Sequence, residues 1–159
     1  MSKSQSNTLL GEAAQLREVH DNWILAFATQ TVDGVVGQRG VLIQEQTHQP
    51  SNQRVLSIEL WPEAAQFKGA LMLPFGLALQ EGVTLCVDEG VPFTLPFRTC
   101  LAGGCVVDVE FDEGVSAQLR VGDTLMVTVV TADIGKEVAF AIPLKGLCSA
   151  HDRLLGLLQ

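Results

Sequence analysis

Tyrosine is absent from this chain, histidine occurs three times, and aromatic residues make up only 6% of 159 residues. So few imidazole and phenol groups leave little of the usual equipment for acid–base catalysis near neutral pH. Positive charge is scarce as well: ten Lys and Arg stand against eighteen Asp and Glu, a net charge of −8, with a pI near 4.7. Proteins that bind nucleic acid by displacing counterions from phosphates need the opposite balance, so nucleic acid and anionic membrane surfaces are poor partners. Long apolar runs are missing too. The longest uncharged stretch, Gly69 to Gln80, is twelve residues and contains Pro74 and Gly76, well short of the roughly 20 apolar residues of a spanning helix. No transmembrane segment is expected. The polar start, Met1 to Thr8, has no apolar segment of about 7–15 residues, so no secretory leader is visible. Either the protein is made without one, or this is a mature form.

What is present describes a folded body. Hydrophobic residues reach 47% and charged residues 18%, which excludes a disordered chain or an extended coiled coil. A chain of this length buries roughly two-thirds of its unfolded surface in one core. There is no internal repeat and no linker, so the reading is a loosely ordered lead-in over 1–20, with a helical turn through Glu12 to Val19, followed by one domain over 21–159. Extended segments are expected at Trp23 to Thr31, Gly40 to Gln46 and Arg54 to Leu60. Trp23 is read as a core anchor. Val83 to Val87 and Val91 to Leu95 flank Asp88-Glu89-Gly90, the signature of a tight hairpin with one residue at positive φ. Val106 to Phe111 alternates Val107, Val109 and Phe111 against Asp108, Glu110 and Asp112, the period of a strand with one wet face. Thr124 to Thr131 and Glu137 to Leu144 flank a second hairpin turn at Asp133 to Lys136. A short helical segment fits residues 113–120, and the spacing of Leu147, Leu154 and Leu158 predicts a carboxyl-terminal helix. About eight short strands without alternating long helices indicate an all-β sandwich.

Four cysteines, Cys86, Cys100, Cys105 and Cys148, lie in the second half and can pair in three ways. Between Cys100 and Cys105 the two glycines Gly103 and Gly104 allow the backbone to bend, so a local bridge is sterically easy. Other constellations are weaker. Cys100, Cys105, Cys148 and His151 can be written as a Cys3His zinc site, although the spacing lacks the compact knuckle such sites use. Asp108, Glu110, Asp112 and Glu113 echo a calcium loop, but Gly114 comes one residue late and Leu119 stands where a bidentate Glu is needed. A solvated strand face is the simpler reading. Ser149, His151 and Asp152 carry the letters of a hydrolase triad but crowd onto one helical turn, where they diverge. Trp61, beside Pro62 at a strand end, is read as a half-buried edge residue or a contact point for a partner.

From Leu71 onward the order of landmarks resembles the invasion-associated locus B family of bacterial envelope proteins. The residues that carry the resemblance are Leu73-Pro74-Phe75-Gly76, Gly82-Val83-Thr84-Leu85 with Asp88 and Gly90, Leu95-Pro96-Phe97-Arg98-Thr99-Cys100 with Gly104-Cys105, Leu119-Arg120-Val121-Gly122, and Leu144-Lys145-Gly146. In the first half, Asp21-Asn22-Trp23 sits where the family opens its first strand. The resemblance implies an immunoglobulin-like β-sandwich, periplasmic, at the cell surface or secreted, that acts through protein contacts with a host-cell or envelope partner. It brings no catalytic residue and no cofactor, and it favours a Cys100–Cys105 disulfide. The family pattern also places cysteines where this chain has Phe27 and Gly40. The loss of that bridge suggests a replacement joining Cys86 to Cys148. A zinc-stabilised binding module and an enzyme with unrecognised residues are the alternative readings.

Overall fold

The computed structural model describes residues 16–48 and 53–158. Among them, eleven strands and two helices form two antiparallel sheets with helical cover. The first half supplies β1 (Leu16–His20), β2 (Trp23–Val32), β3 (Val35–His48), β4 (Gln53–Glu63) and β5 (Gln66–Leu73). The second supplies β6 (Val83–Val87), β7 (Phe93–Leu95), β8 (Thr99–Leu101), β9 (Gly104–Phe111), α1 (Glu113–Val121), β10 (Thr124–Val130), β11 (Glu137–Pro143) and α2 (Leu147–Leu157). The larger sheet runs β1-β2-β3-β4-β5-β9-β8 and the smaller β11-β10-β6-β7. This is the β-sandwich the sequence predicts.

Period-two alternation decides which side chains meet between the layers. Trp23, Leu25, Ile58, Leu60, Phe67 and Phe111 project from the larger sheet onto Leu85, Leu125 and Val127 of the smaller, all essentially without exposure. Each such side chain contributes roughly 1.5–3 kcal/mol by leaving water. Trp23 is the anchor expected of it, and its indole Nε1 donates to the Pro143 carbonyl at 3.1 Å. Gln44 Nε2 donates to the same oxygen at 3.0 Å. One carbonyl at the end of β11 therefore ties the smaller sheet to two strands of the larger.

Both hairpin turns of the second half form as expected. Asp88 is the residue at positive φ, and its carboxylate accepts from the backbone N–H of Asp123 and Thr124 at 3.0–3.2 Å. That contact fastens the β6–β7 turn to the start of β10. Asp112 caps α1 by accepting from Val115 N at 2.8 Å, and Arg120 occupies the last turn, where a cation favours the helix dipole. Ser116, buried on α1, donates to Phe111 O and accepts from Phe67 N, which satisfies two strand ends at once.

Three strands were not expected. Leu16–His20 is strand, paired with β2 from Leu16 opposite Phe27 to His20 opposite Trp23, in place of the helical turn. The earlier residues of the lead-in lie outside the described residues. Strand β5 lies between β4 and β9 and carries Gly69, where a Cβ would overlap the Glu59 carbonyl of the neighbouring strand. Strand β8 is a three-residue edge strand, exposed throughout. Pro62 sits in β4 beyond Leu60, the last β4 residue paired with β3. No ladder hydrogen bond is lost there, which is why a proline is tolerated in an interior strand.

Candidate functional site

Cys100 and Cys105 lie directly opposite one another on β8 and β9, one position in from the turn at Ala102-Gly103. Their Sγ atoms stand 2.7 Å apart as thiols, closer than unbonded sulfurs ordinarily approach. Gly104 permits this arrangement: its φ is +149°, and a Cβ there would overlap the Leu73 carbonyl. The two thiols are unequal. Cys100 is exposed, whereas Cys105 is buried and its pKa is pushed up to about 11, first by burial and then by its hydrogen bond to Cys100. Cys100 is thus the sulfur of the pair that solvent reaches.

Cys86 and Cys148 are not brought together. Cys86 is an outward-facing residue of β6, as the burial alternation of that strand shows, and its Sγ donates to the Gly90 carbonyl at 3.2 Å. Cys148 lies on α2 with its Sγ directed at Asp152 Oδ2, 3.9 Å away. The zinc set is dispersed likewise. His151 packs on the Phe67 ring at a centroid distance of 4.6 Å and accepts from Arg120. Phe67 lies near the start of β5 and Leu73, opposite Cys105, closes it; six residue steps of strand separate the two by about 20 Å. Among the described residues, no three His, Cys, Asp or Glu side chains converge to hold a metal ion. The acids of the calcium-like run have separate partners: Asp108 pairs with Arg98 at 3.0 Å, and Asp112 caps α1.

Trp61 is half-buried on the outer face of the larger sheet, packed against Ala26, Ala28 and Val41. The Arg39 guanidinium lies 5.4 Å from its ring centroid. The end of the sandwich beside the dithiol carries other apolar residues. Gly76 O accepts from Ala132 N and Ala78 N donates to Val130 O, so the loop after β5 runs along the end of β10. Phe75, Leu101 and Ile134 are all exposed on the turns of this end.

Sequence reasoning missed a second constellation, where β1 meets α2. The β1–β2 turn is fixed to the start of α2 by Asn22 N donating to Lys145 O at 3.2 Å. Gly146, at φ +102°, lets the chain pass so close to the His20 carbonyl that any Cβ would overlap it. This approach places Ser149 Oγ 2.8 Å from His20 Nδ1, and His20 Nε2 3.1 Å from Glu18. Glu18 also receives Arg153 through Nε and Nη2 at 3.2 Å, and its carboxyl is held below the usual range by Arg153 first and His20 second. Ser149 therefore leaves His151 and Asp152, which both turn to Arg120. The signal available beforehand was slight: Asn22 and Gly146 belong to the two quoted family landmarks that here adjoin.

The fold and the paired cysteines define a β-sandwich domain carrying a cross-strand dithiol at one end. Residues 36–155 match the family described as Invasion associated locus B (IalB) protein. A homolog of Invasion protein B from Brucella abortus (strain 2308) is 36% identical over 151 residues, spanning 94% of this chain and 85% of that protein. Invasion protein B of Bartonella bacilliformis is 28% identical over 153 residues, spanning 94% and 80%. The crystal structure of invasion associated protein B from Bartonella henselae superposes with a TM-score of 0.80 at 26% identity, covering 90% of this chain and 97% of that one. This chain belongs to the invasion associated locus B family. Its named relatives are invasion proteins, and among the described residues no helix is long and apolar enough to cross a membrane.

Proposed function

We propose that this protein is an exported component of the bacterial envelope, or a secreted protein, that acts through protein contact in envelope organisation or with a host cell. The observation that carries the reading is the Cys100–Cys105 juxtaposition on an exposed edge hairpin. Loss of two hydrogens closes it, and such a bridge persists only in an oxidising compartment. The chain-entropy account gives a ring this small roughly 2 kcal/mol. That tie holds a short edge strand that no helix covers. Phe75, Leu101 and Ile134 beside it supply an apolar surface of the kind that anchors protein contacts, and the Trp61–Arg39 pair supplies a second. Both lie on a protein of net charge −8, which suits a protein surface and not a phosphate backbone. Cys86 and Cys148 stay as thiols in this reading.

Fractionation of the producing bacterium followed by intact mass under non-reducing conditions tests it. The expected result is protein in the envelope fraction or medium, two hydrogens lighter than the fully reduced chain, with the bridge mapped to Cys100 and Cys105. A cytosolic protein with four thiols overturns the proposal.

A further inference from the structure

Glu18, His20 and Ser149 form a nucleophile, a base and an orienting carboxylate in one hydrogen-bonded line, assembled from β1 and the first turn of α2. Chemistry fixes the protons. An ionised carboxylate only accepts, so His20 Nε2 carries the hydrogen facing Glu18; the neutral ring then offers the Nδ1 lone pair to the Ser149 hydroxyl. That is the tautomer a general base needs. Arg153 also holds Glu18, with Nε on Oε1 and Nη2 on Oε2, each at 3.2 Å, which fixes the carboxylate and favours its ionised form. The His20–Ser149 contact lies at the exposed surface, so an incoming molecule can reach it. Ser149 also sits in the first turn of an α-helix whose cap residue, Gly146, offers no side chain. Leu147 N already donates to Leu144 O and Ala150 N to Gly146 O, so the first-turn N–H groups that suit a developing oxyanion are those of Cys148 and Ser149.

We propose that Ser149 is an activated nucleophile that accepts an acyl group from a carboxylic ester, with His20 as its general base and Glu18 as a positioning residue. As Ser149 Oγ forms its bond to the acyl carbon, its proton passes to His20 Nδ1. His20 gives that proton to the departing alcohol oxygen as the ester C–O bond breaks. Water then attacks the acyl-serine, His20 takes the water proton, and the proton returns to Ser149 Oγ as the acid leaves. The step consumes one ester and one water and changes no oxidation state. It is a capacity distinct from the contact role, because it uses the opposite flank of the larger sheet from the Cys100–Cys105 edge.

The test uses the whole chain with two probes: a fluorophosphonate read by intact mass and peptide mapping, and p-nitrophenyl acetate read by nitrophenol release. A single adduct on Ser149 is expected, absent in Ser149→Ala, with labelling slowed about a hundredfold in His20→Gln. Melting curves of both variants establish that they are folded, and Glu18→Gln supplies an independent arm. In that variant labelling slows, and Glu18→Asp, which keeps a carboxylate facing His20, restores part of the rate. No adduct, an adduct mapped to Cys148 or to another serine, or a His20→Gln variant that labels at the original rate overturns the proposal. None of these outcomes bears on the location of the protein or on its Cys100–Cys105 pair.

Discussion

Two hairpins in the larger sheet each place a pair of residues directly across from one another, and the pairs are held by opposite means. Phe27 faces Gly40 across β2 and β3, and Cys100 faces Cys105 across β8 and β9. Helix α2 lies over the first pair. Leu154, fully buried, comes so close to Gly40 that a Cβ there would overlap it, and Phe27 fills the adjoining space. The second pair is covered on one side only: every residue of β8, Cys100 included, is exposed, whereas Cys105 on β9 is buried. At the first pair a helix side chain supplies the partner; at the second, an exposed and a buried thiol face one another. The packed pair is secured by its cover, and the thiol pair depends, in the proposed reading, on oxidation for an equivalent tie.

The largest break in the comparison comes from Leu154→Ala. Removing a fully buried leucine from a packed site costs about 2–5 kcal/mol, and the fall in Tm measured by calorimetry should exceed that of any other substitution named here. A smaller effect is expected from Gly40→Ala, which overfills the same space from the other side at a cost of about 1–3 kcal/mol. Combining Gly40→Ala with Leu154→Ala should be less damaging than the sum of the two, because each removes the reason for the other; denaturant titration of the double-mutant cycle reads this directly. The sulfur pair comes next. Reductant should lower the stability of oxidised protein by roughly 2 kcal/mol, with no effect on a Cys100→Ala, Cys105→Ala variant. An equal response in the variant would locate the effect elsewhere.

The smallest effect separates the two hairpins by acid. His151 shares α2 with Leu154, and its pKa is lowered by burial first and then by Arg120. The unfolded chain therefore binds the proton more readily than the folded one. Its contribution to stability is complete above the ordinary histidine value of about 6.5 and is lost as pH falls through the depressed value. A modest drop in Tm on acidification is expected, and it should shrink in His151→Phe. The drop should persist unchanged in the variant lacking Cys100 and Cys105, which shares no contact with α2.

How much of this was legible beforehand follows from which signals are local. The two second-half hairpins, Val106 to Phe111 and both helices were readable because turn residues or alternation lie within a few positions of one another. Strand β5 escaped because Gly69 interrupts its apolar face; the reason for that glycine, the Glu59 carbonyl, is a neighbour in space only. Strand β1 escaped because its inward residues include Glu18 and His20, polar groups whose partners Ser149 and Arg153 lie about 130 positions away. The local geometry of Cys100 and Cys105 was legible from Gly103 and Gly104. The separation of Cys86 from Cys148 depended on a strand parity and a helix position that no spacing reveals.

Pro143 carries a mechanical consequence. Having no N–H of its own, it presents a carbonyl that takes both Trp23 and Gln44, and α2 follows four residues later. Tension applied at the carboxyl terminus first meets the buried face of α2 and the backbone bonds of Lys145 and Leu144. What load passes them is shared by the two donors on that one oxygen.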